Sequence, residues 1–254
     1  MKLMQLNIWQ GRLLRQALDF LEQEKPDILC MQEVYSSGIN SVDLDFFGSF
    51  ERIKELFPGY NGYFSANFDI PVFGQKVSYG NALISSFPLL KTETIYTSGE
   101  FHSFNIFGEF TEYEGENNRI AYNVQKVTVQ TGEDKTFCLL NHHGYWLPNR
   151  MGSELSVEKM EIVADIIRLS PRPLIFVGDL NVVAESPAMK PIQSILHDLT
   201  QEYGLQTTLS ELGKVKNVAC DHVSISEGIK VQNFGTRNSL ESDHKALVLE
   251  FDLS

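Results

Sequence analysis

The stretch Leu-Ile-Phe-Val-Gly-Asp-Leu-Asn, residues 174–181, organises the sequence. Its four leading apolar residues, two of them β-branched, are typical of a short strand buried on both faces. Gly178 ends that run and leaves Asp179 and Asn181 at its carboxyl end. Because side chains two residues apart on an extended segment share a face, both point the same way. An Asp-x-Asn turn that only satisfies local backbone groups is the alternative interpretation.

Other apolar runs of the chain also adjoin polar side chains at their ends. These residues are Asn7, Glu33, His143, Asp221, Asp243 and His244. Taken singly, each is commonly a turn residue or, for a histidine, a satisfied core or surface residue. Together they are too many for turns alone, since ligand sites in sheet proteins collect at strand ends.

The apolar spacing predicts an α/β protein. Helices are predicted near residues 14–21, 50–57 and 153–169, with a weaker one over 187–199. Residues 68–79 are expected to form a loop. Many strands with few, widely spaced helices indicate two packed sheets with helices outside. Since no repeat or linker divides the chain, we expect a single domain over residues 1–254.

Charge and composition restrict the partners. The 254 residues carry a net charge of −12 without a cluster of Lys and Arg, so we expect no stable binding of duplex DNA. The acidic excess suits a carboxylate-rich metal site and equally suits mere solubility. The start has no signal-peptide pattern, and no apolar run approaches the roughly 20 residues of a membrane span. Cys30, Cys138 and Cys220 show no metal-ligand spacing, which favours reduced core residues in a cytoplasmic protein.

The polar set at the strand ends favours phosphoester chemistry. Carboxylate ligands without cysteine suit a hard cation such as Mg²⁺ or Mn²⁺, which polarises phosphoryl oxygens. The sequence lacks the Gly-x-Ser-x-Gly elbow, the Walker loop, the Rossmann fingerprint and His-Glu-x-x-His. Serine hydrolysis, nucleotide-driven motors and zinc peptidases therefore have no support.

The order of motifs resembles the endonuclease/exonuclease/phosphatase superfamily from Asn7 to His244. The motifs are Leu-Asn-Ile-Trp, Gln-Glu-Val, Tyr-Gly-Asn-Ala-Leu-Ile-Ser, Asn-His-His, Gly-Asp-Leu-Asn, Cys-Asp-His-Val and Ser-Asp-His. The resemblance implies a deoxyribonuclease-I-like fold, a four-layered α/β/β/α sandwich of two packed, mainly antiparallel sheets with outer helices. It also implies a Mg²⁺-dependent phosphoesterase, with Mn²⁺ as a substitute.

The resemblance implies a metal site at one end of the sheets. Glu33 would be the principal metal ligand, Asn7 would lie near metal and phosphate, and Asp243 would serve the metal directly or through water. Some family nucleases carry an additional Asp two residues after the first Asn. Trp9 occupies that position here, which favours a one-metal site and makes the abasic-site repair nucleases a poorer fit.

The same resemblance implies the catalytic roles. Asp179 would position or activate the attacking water, and Asn181 would contact the scissile phosphate. His244 would stabilise the pentacovalent transition state with Asp221 behind it as orienter. His143 would lie near the phosphate, where family members carry a His or Tyr.

The substrate is open at the level of the sequence. Arg119 begins its strand as a phosphate-binding candidate, or equally as a surface ion-pair residue. The segment 98–118, with Tyr145 and Trp146, supplies substrate contacts or is a variable hairpin tip. We expect a monomer acting on a small phosphoester, a nucleotide, or a lipid or sugar headgroup. The alternatives are a nuclease acting on single-stranded nucleic acid by endo- or exo-cleavage, and a catalytically inactive binding module.

Overall fold

The computed structural model describes residues 1–39, 42–105, 120–237 and 240–254, with the backbone alone for residues 42 and 43. Its strands in chain order are β1 (Lys2–Asn7), β2 (Ile28–Ser36), β3 (Asn61–Val72), β4 (Gln75–Ser85), β5 (Leu89–Ser98), β6 (His102–Ser103), β7 (Tyr122–Gln130), β8 (Thr136–His143), β9 (Leu174–Asp179), β10 (His197–Asp198), β11 (Asp221–Ile225), β12 (Ile229–Thr236) and β13 (Leu247–Leu253). Its α-helices are α1 (Leu14–Glu24), α2 (Ser49–Leu56), α3 (Glu154–Arg168), α4 (Lys190–Gln193) and α5 (Leu199–Glu202).

The strands form two mixed sheets. The first has the order β12-β13-β1-β2-β4-β3-β6 and the second the order β10-β11-β9-β8-β7-β5. Pairing is parallel between β1 and β2, between β3 and β6, and between β8 and β9, and antiparallel between the other neighbours. The expectation of two mainly antiparallel sheets is confirmed.

Apolar clusters hold the layers together. Between the sheets, residues such as Leu3 and Leu249 pack with Leu139 and Val177. On the outer face of the first sheet, α1 and α2 bury Leu21 and Ile53 among the side chains of β1 and β2. On the outer face of the second sheet, α3 packs against β8 and β9. The predicted four-layered α/β/β/α sandwich is therefore confirmed.

Two local predictions were wrong. Residues 68–79 do not form a loop but continue β3 and β4 into a long hairpin that turns at Phe73-Gly74, where both residues have positive φ. The weak helix predicted over 187–199 is instead a 3₁₀ turn (Pro187–Met189), the four-residue α4 and the two-residue strand β10. Proline at 191 and a short apolar repeat do not sustain a longer helix.

The topology brings the polar strand ends to one edge. In the second sheet His143 is the register partner of Asp179, which is also the partner of Asp221, so these residues form a row across β8, β9 and β11. Gly178 is required for this row, because a Cβ there would overlap the carbonyl oxygen of His142 on β8. Within the described part of the chain, no helix is long and apolar enough to span a bilayer.

Candidate active site

Asp179 lies at the centre of the polar residues. Its Oδ2 accepts a hydrogen bond from Asn7 Nδ2 at 3.0 Å and lies 3.6 Å from His143 Nε2 and 3.6 Å from His244 Nε2. Its Oδ1 accepts the backbone N–H of Asn181 at 3.0 Å. Burial alone would raise its pKa, but interactions with His244, His143 and Arg150 and the hydrogen bond from Asn7 outweigh that effect and lower it. The carboxylate is therefore ionised at neutral pH.

His244 and Asp221 form a buried ion pair behind Asp179. His244 Nδ1 donates to Asp221 Oδ2 at 2.8 Å, and both residues are nearly inaccessible to solvent. Burial disfavours the imidazolium, but Asp221 and Asp179 outweigh it and raise the pKa of His244 to about 10. His244 is thus a cation whose second N–H, at Nε2, is directed towards Asp179.

Glu33 reaches the site through a strand irregularity that the sequence does not reveal. The prediction placed it at the end of a strand, whereas β2 continues to Ser36 and contains a β-bulge between Met31 and Val34. Glu33 has φ 57° there, and such bulges redirect a side chain. Asn7 Nδ2 donates to Glu33 Oε1 at 3.0 Å, so this amide connects Glu33 with Asp179.

The donor set fits a hard divalent cation beside Glu33. Glu33 and Asp243 are half-buried carboxylates near the site. Asn7 lies beside them with its Nδ2 bonded to Glu33, while its Oδ1, the atom that could bind a cation, accepts the Trp9 N–H at 2.9 Å. Burial raises the pKa of Asp243 to about 6, and the charges of Glu33, Asp179 and Asp221 add to that effect. Crowded carboxylates of this kind are relieved by a bound cation, for which oxygen ligands suit Mg²⁺ and Mn²⁺.

A second group also has metal-ligating atoms close together. Ligand atoms of Asp179, Cys220, Asp221 and His244 lie within 4.8 Å of one another. These residues are a less suitable ion site than Glu33. Asp221 Oδ2 and His244 Nδ1 already bond to each other, and burial raises the pKa of the Cys220 thiol well above its usual value, which disfavours the thiolate.

Arg150 is a residue of this site that the sequence reasoning missed. Its guanidinium donates to Asn181 Oδ1, lies 5.7 Å from the ring centre of Trp146 and contributes to the lowered pKa of Asp179. With Oδ1 occupied, Asn181 turns its Nδ2 to Gly144 O at 3.1 Å, and the other N–H of that amide remains for a ligand. Only the place of Arg150 in the chain could have indicated it. Arg150 follows β8, and the end of β8 lies beside the end of β9, where Asp179 is found.

The four other predicted contacts have different outcomes. Arg119 and residues 106–118 of the segment 98–118 lie outside the described residues. Tyr145 is 5% exposed and packs on Tyr122 with ring centres 4.2 Å apart, which leaves it little surface for a substrate. Trp146 is 40% exposed and keeps a free surface beside Arg150.

The layered α/β sandwich is the fold of the endonuclease/exonuclease/phosphatase family. The family model for the endonuclease/exonuclease/phosphatase family matches residues 4–244, and the chain belongs to this family. Members of the family are hydrolases that act on phosphoesters and generally use divalent metals.

Solved structures show the same fold at low sequence identity. The chain is similar to a functionally unknown conserved protein from Enterococcus faecalis (14% identity, TM-score 0.74, all of both chains covered). It is similar to a mannosyl-6-phosphatase from Bacteroides thetaiotaomicron (16%, 0.71, all of both chains). It also resembles the human Nocturnin catalytic domain (19%, 0.67, 100% of this chain and 93% of that one). No curated protein matches the sequence significantly.

Proposed function

We propose that the protein is a Mg²⁺-dependent phosphoesterase, with Mn²⁺ as a substitute, that hydrolyses a phosphodiester or phosphomonoester by direct attack of water. The observation that carries the proposal is the position of Asp179. This ionised carboxylate lies 3.6 Å from the imidazole nitrogens of both His143 and His244 and is bonded to Asn7. A base, a cation and amide donors at one point suit the transfer of a phosphoryl group to water.

Asp179 orients the attacking water and accepts its proton. His244 donates its Nε2–H to a phosphoryl oxygen, where charge grows in the transition state, and Asp221 holds the ring through Nδ1. Asn181 offers its remaining Nδ2–H to the phosphate, with its orientation held by Arg150.

The remaining predicted ligands serve the metal and phosphate. His143 contacts the phosphate beside Asp179, and Arg119 is retained as a phosphate-binding candidate. Glu33, Asn7 and Asp243 hold the metal. A bound divalent cation supplies Lewis acidity and neutralises the charge of the leaving group.

We propose a small substrate for this site: a nucleotide, a phosphorylated sugar or a lipid headgroup. The net charge of −12 opposes binding of a long polyanion, and one structural relative is a mannosyl-6-phosphatase. The buried, unpaired cysteines support the expectation of a cytoplasmic protein, and we retain the predictions of one domain and a monomer.

A nuclease acting on single-stranded nucleic acid is the second candidate. The exposed Trp146 ring beside the Arg150 guanidinium favours it, because exposed aromatic rings with cations stack unpaired bases. Binding of oligonucleotides that weakens steeply with salt would select this candidate over the small substrate.

The test is hydrolysis of bis-p-nitrophenyl phosphate and p-nitrophenyl phosphate in Mg²⁺, Mn²⁺ or EDTA. We expect metal-dependent turnover that is lost in Glu33→Ala and retained in Glu51→Ala. Glu51 is the matched control because it is a half-buried glutamate of α2 that accepts a hydrogen bond from Ser36, which lies on β2 like Glu33. The preferred compound separates diesterase from monoesterase. If neither compound nor a panel of sugar, nucleotide and lipid phosphates is hydrolysed, and Mg²⁺ does not raise the melting temperature, the inactive binding module replaces this proposal.

A further inference from the structure

A chain of buried amide side chains crosses the interface between the two sheets. We call Gln5, Gln32, Asn141 and Gln125 the amide chain; they lie on β1, β2, β8 and β7, and all four are completely buried. The same interface holds apolar side chains such as Leu3, Leu139 and Val177, and further buried amides such as Asn123. Polar groups in such an interface are costly unless each is hydrogen-bonded with the correct orientation.

The end of the amide chain at Gln125 fixes the direction in which its hydrogen bonds run. Gln125 Nε2 lies 3.1 Å from the backbone oxygen of Asn81 and 3.2 Å from that of Tyr63. A carbonyl oxygen can only accept, so Gln125 must direct its NH₂ group there and its Oε1 towards Asn141. Asn141 Nδ2 then donates to Gln125 Oε1 at 2.8 Å.

The hydrogen bonds keep this direction to the end of the amide chain at Gln5. Gln32 Nε2 donates to Asn141 Oδ1 at 2.6 Å, and Gln5 Nε2 donates to Gln32 Oε1 at 2.7 Å. Because Gln32 presents its oxygen, Gln5 must direct its NH₂ group inward. The second N–H of that group donates to Asp221 Oδ1 at 2.9 Å. A flipped Gln5 would place its own oxygen against the oxygens of Gln32 and Asp221.

The hydrogen bond from Gln5 helps to fix the orientation of the Asp221 carboxylate. One carboxylate oxygen receives Gln5 Nε2–H, and the other receives His244 Nδ1–H. Because each oxygen accepts a different donor, the carboxylate is fixed in rotation. His244 is therefore held through its Nδ1, with its Nε2 facing Asp179 Oδ2 at 3.6 Å.

We propose that Gln5 is a positioning residue for phosphoester hydrolysis, acting through Asp221 on His244, and that the amide chain sets its orientation from the backbone of β3 and β4. The expected effect of Gln5 on kinetics rests on the proposed function. Its expected effect on His244 rests only on the direction of the hydrogen bonds. The two parts are therefore measured separately.

The structural part is tested by proton NMR of the wild-type protein and its variants. We expect a downfield imidazole N–H signal from His244 Nδ1, assigned by its loss in His244→Gln. Gln5→Met, which keeps the volume and removes both donors, should shift this signal and speed its exchange with water. Asn123→Leu is the matched control, since Asn123 is an equally buried interface amide that bonds Ser65 and Asn67 instead, and it should leave the signal unchanged.

The kinetic part uses whichever phosphoester the wild type hydrolyses. Loss of a hydrogen bond to a charged group predicts a fall in kcat of about tenfold or more in Gln5→Met with KM within about twofold. In Asn123→Leu kcat should change by less than about twofold. Added to Asp221→Asn, Gln5→Met should cause no further loss, because residues that act through one another are not additive.

Each result decides the inference. A His244 signal that is absent in the wild type or unchanged in Gln5→Met would overturn it. So would a double variant whose loss of kcat equals the product of the losses in Gln5→Met and Asp221→Asn. If Gln5→Met does not fold, Gln32→Met takes its place, because it frees the orientation of Gln5 without contacting Asp221, and the same signal should shift. If no phosphoester is hydrolysed while the signal shifts as expected, the proposed function fails and the positioning by Gln5 stands.

Discussion

Replacing Asp221 by asparagine removes the charge that keeps His244 protonated and preserves the size of the side chain. The two residues bond at 2.8 Å in a buried environment. Burial lowers the pKa of His244, but Asp221 and Asp179 together raise it to about 10. In the variant only Asp179 and Asp243 among the named carboxylates oppose burial, so we expect the pKa of His244 to fall towards its ordinary value of about 6.5.

The magnitude follows from the protonated fraction. At pH 8 a histidine with a pKa of 6.5 is protonated to about 3%, whereas the wild-type His244 remains almost fully protonated. If the cation stabilises the transition state, kcat/KM falls about 30-fold at pH 8 and less than about threefold at pH 5.5. The variant therefore acquires an alkaline limb near pH 6.5 that the wild type shows only near pH 10.

The loss of stability in Asp221→Asn should become smaller as the pH rises, whereas its loss of activity becomes larger. The pKa of His244 is raised in the folded state, so its contribution is complete below pH 6.5 and is lost as the pH rises through about 10. The gap from 6.5 to about 10 corresponds to about 5 kcal/mol, as an order of magnitude shared among Asp221, Asp179 and Asp243. The difference in melting temperature between wild type and Asp221→Asn should thus be largest at acid pH and close above pH 10.

The assay is kcat/KM for a phosphoester between pH 5.5 and 9.5, beside thermal unfolding from pH 5.5 to about pH 11. Asp198→Asn is the control, because Asp198 forms a second buried ion pair with His222 at 3.0 Å on the opposite face of β11. It should lower the melting temperature without moving the pH profile of kcat/KM. An Asp221→Asn profile parallel to that of the wild type would refute the role of the His244 cation.

Four further outcomes are expected. Glu33→Gln should lower metal-dependent hydrolysis more than about 100-fold and abolish stabilisation by Mg²⁺ in a thermal shift; stabilisation equal to that of the wild type would contradict it. Arg150→Met should lower kcat/KM about 10- to 100-fold because Asn181 loses its orientation, whereas Arg168→Met, on the surface ion pair of α3, should not. Titration calorimetry should show weaker Mg²⁺ binding below about pH 6, since the pKa of Asp243 is about 6 without the ion, and binding independent of pH would exclude Asp243 as a ligand. Gly178→Ala should lower stability by about 1–3 kcal/mol in denaturant unfolding, because its Cβ overlaps β8, and an unchanged midpoint would show that the strands can separate.

The architecture could be predicted because its signals are local. The four apolar residues before Gly178 define a buried strand, and the register confirms that strands β1 and β2 are parallel neighbours, with Asn7 beside Gln32. Polar residues at strand ends therefore meet at one edge, which the sequence pattern anticipates. The hairpin at Phe73-Gly74 was missed because residues 68–79 mix polar and apolar side chains without a strand pattern. Pairing between β3 and β4 outweighs the weak local preference of these residues for a strand.

The site could be predicted in its members but not in its geometry. Glu33 enters through a bulge with positive φ, and a single sequence does not report an extra residue in one strand. Arg150 lies in an irregular segment whose path depends on tertiary contacts. The amide chain was also missed, since Gln5 and Gln32 look like ordinary strand residues until the second sheet supplies Asn141 and Gln125.

The most direct test of the central claim is a crystal structure with Mn²⁺ and inorganic phosphate, using anomalous scattering to locate the ion. We expect one Mn²⁺ peak at the Glu33 carboxylate, near Asn7 and Asp243. We also expect a phosphate within hydrogen-bond distance of His244 Nε2 and Asn181 Nδ2. A Mn²⁺ peak bound instead between Asp221 and Cys220, or no peak at saturating Mn²⁺, would show that Glu33 does not hold the metal.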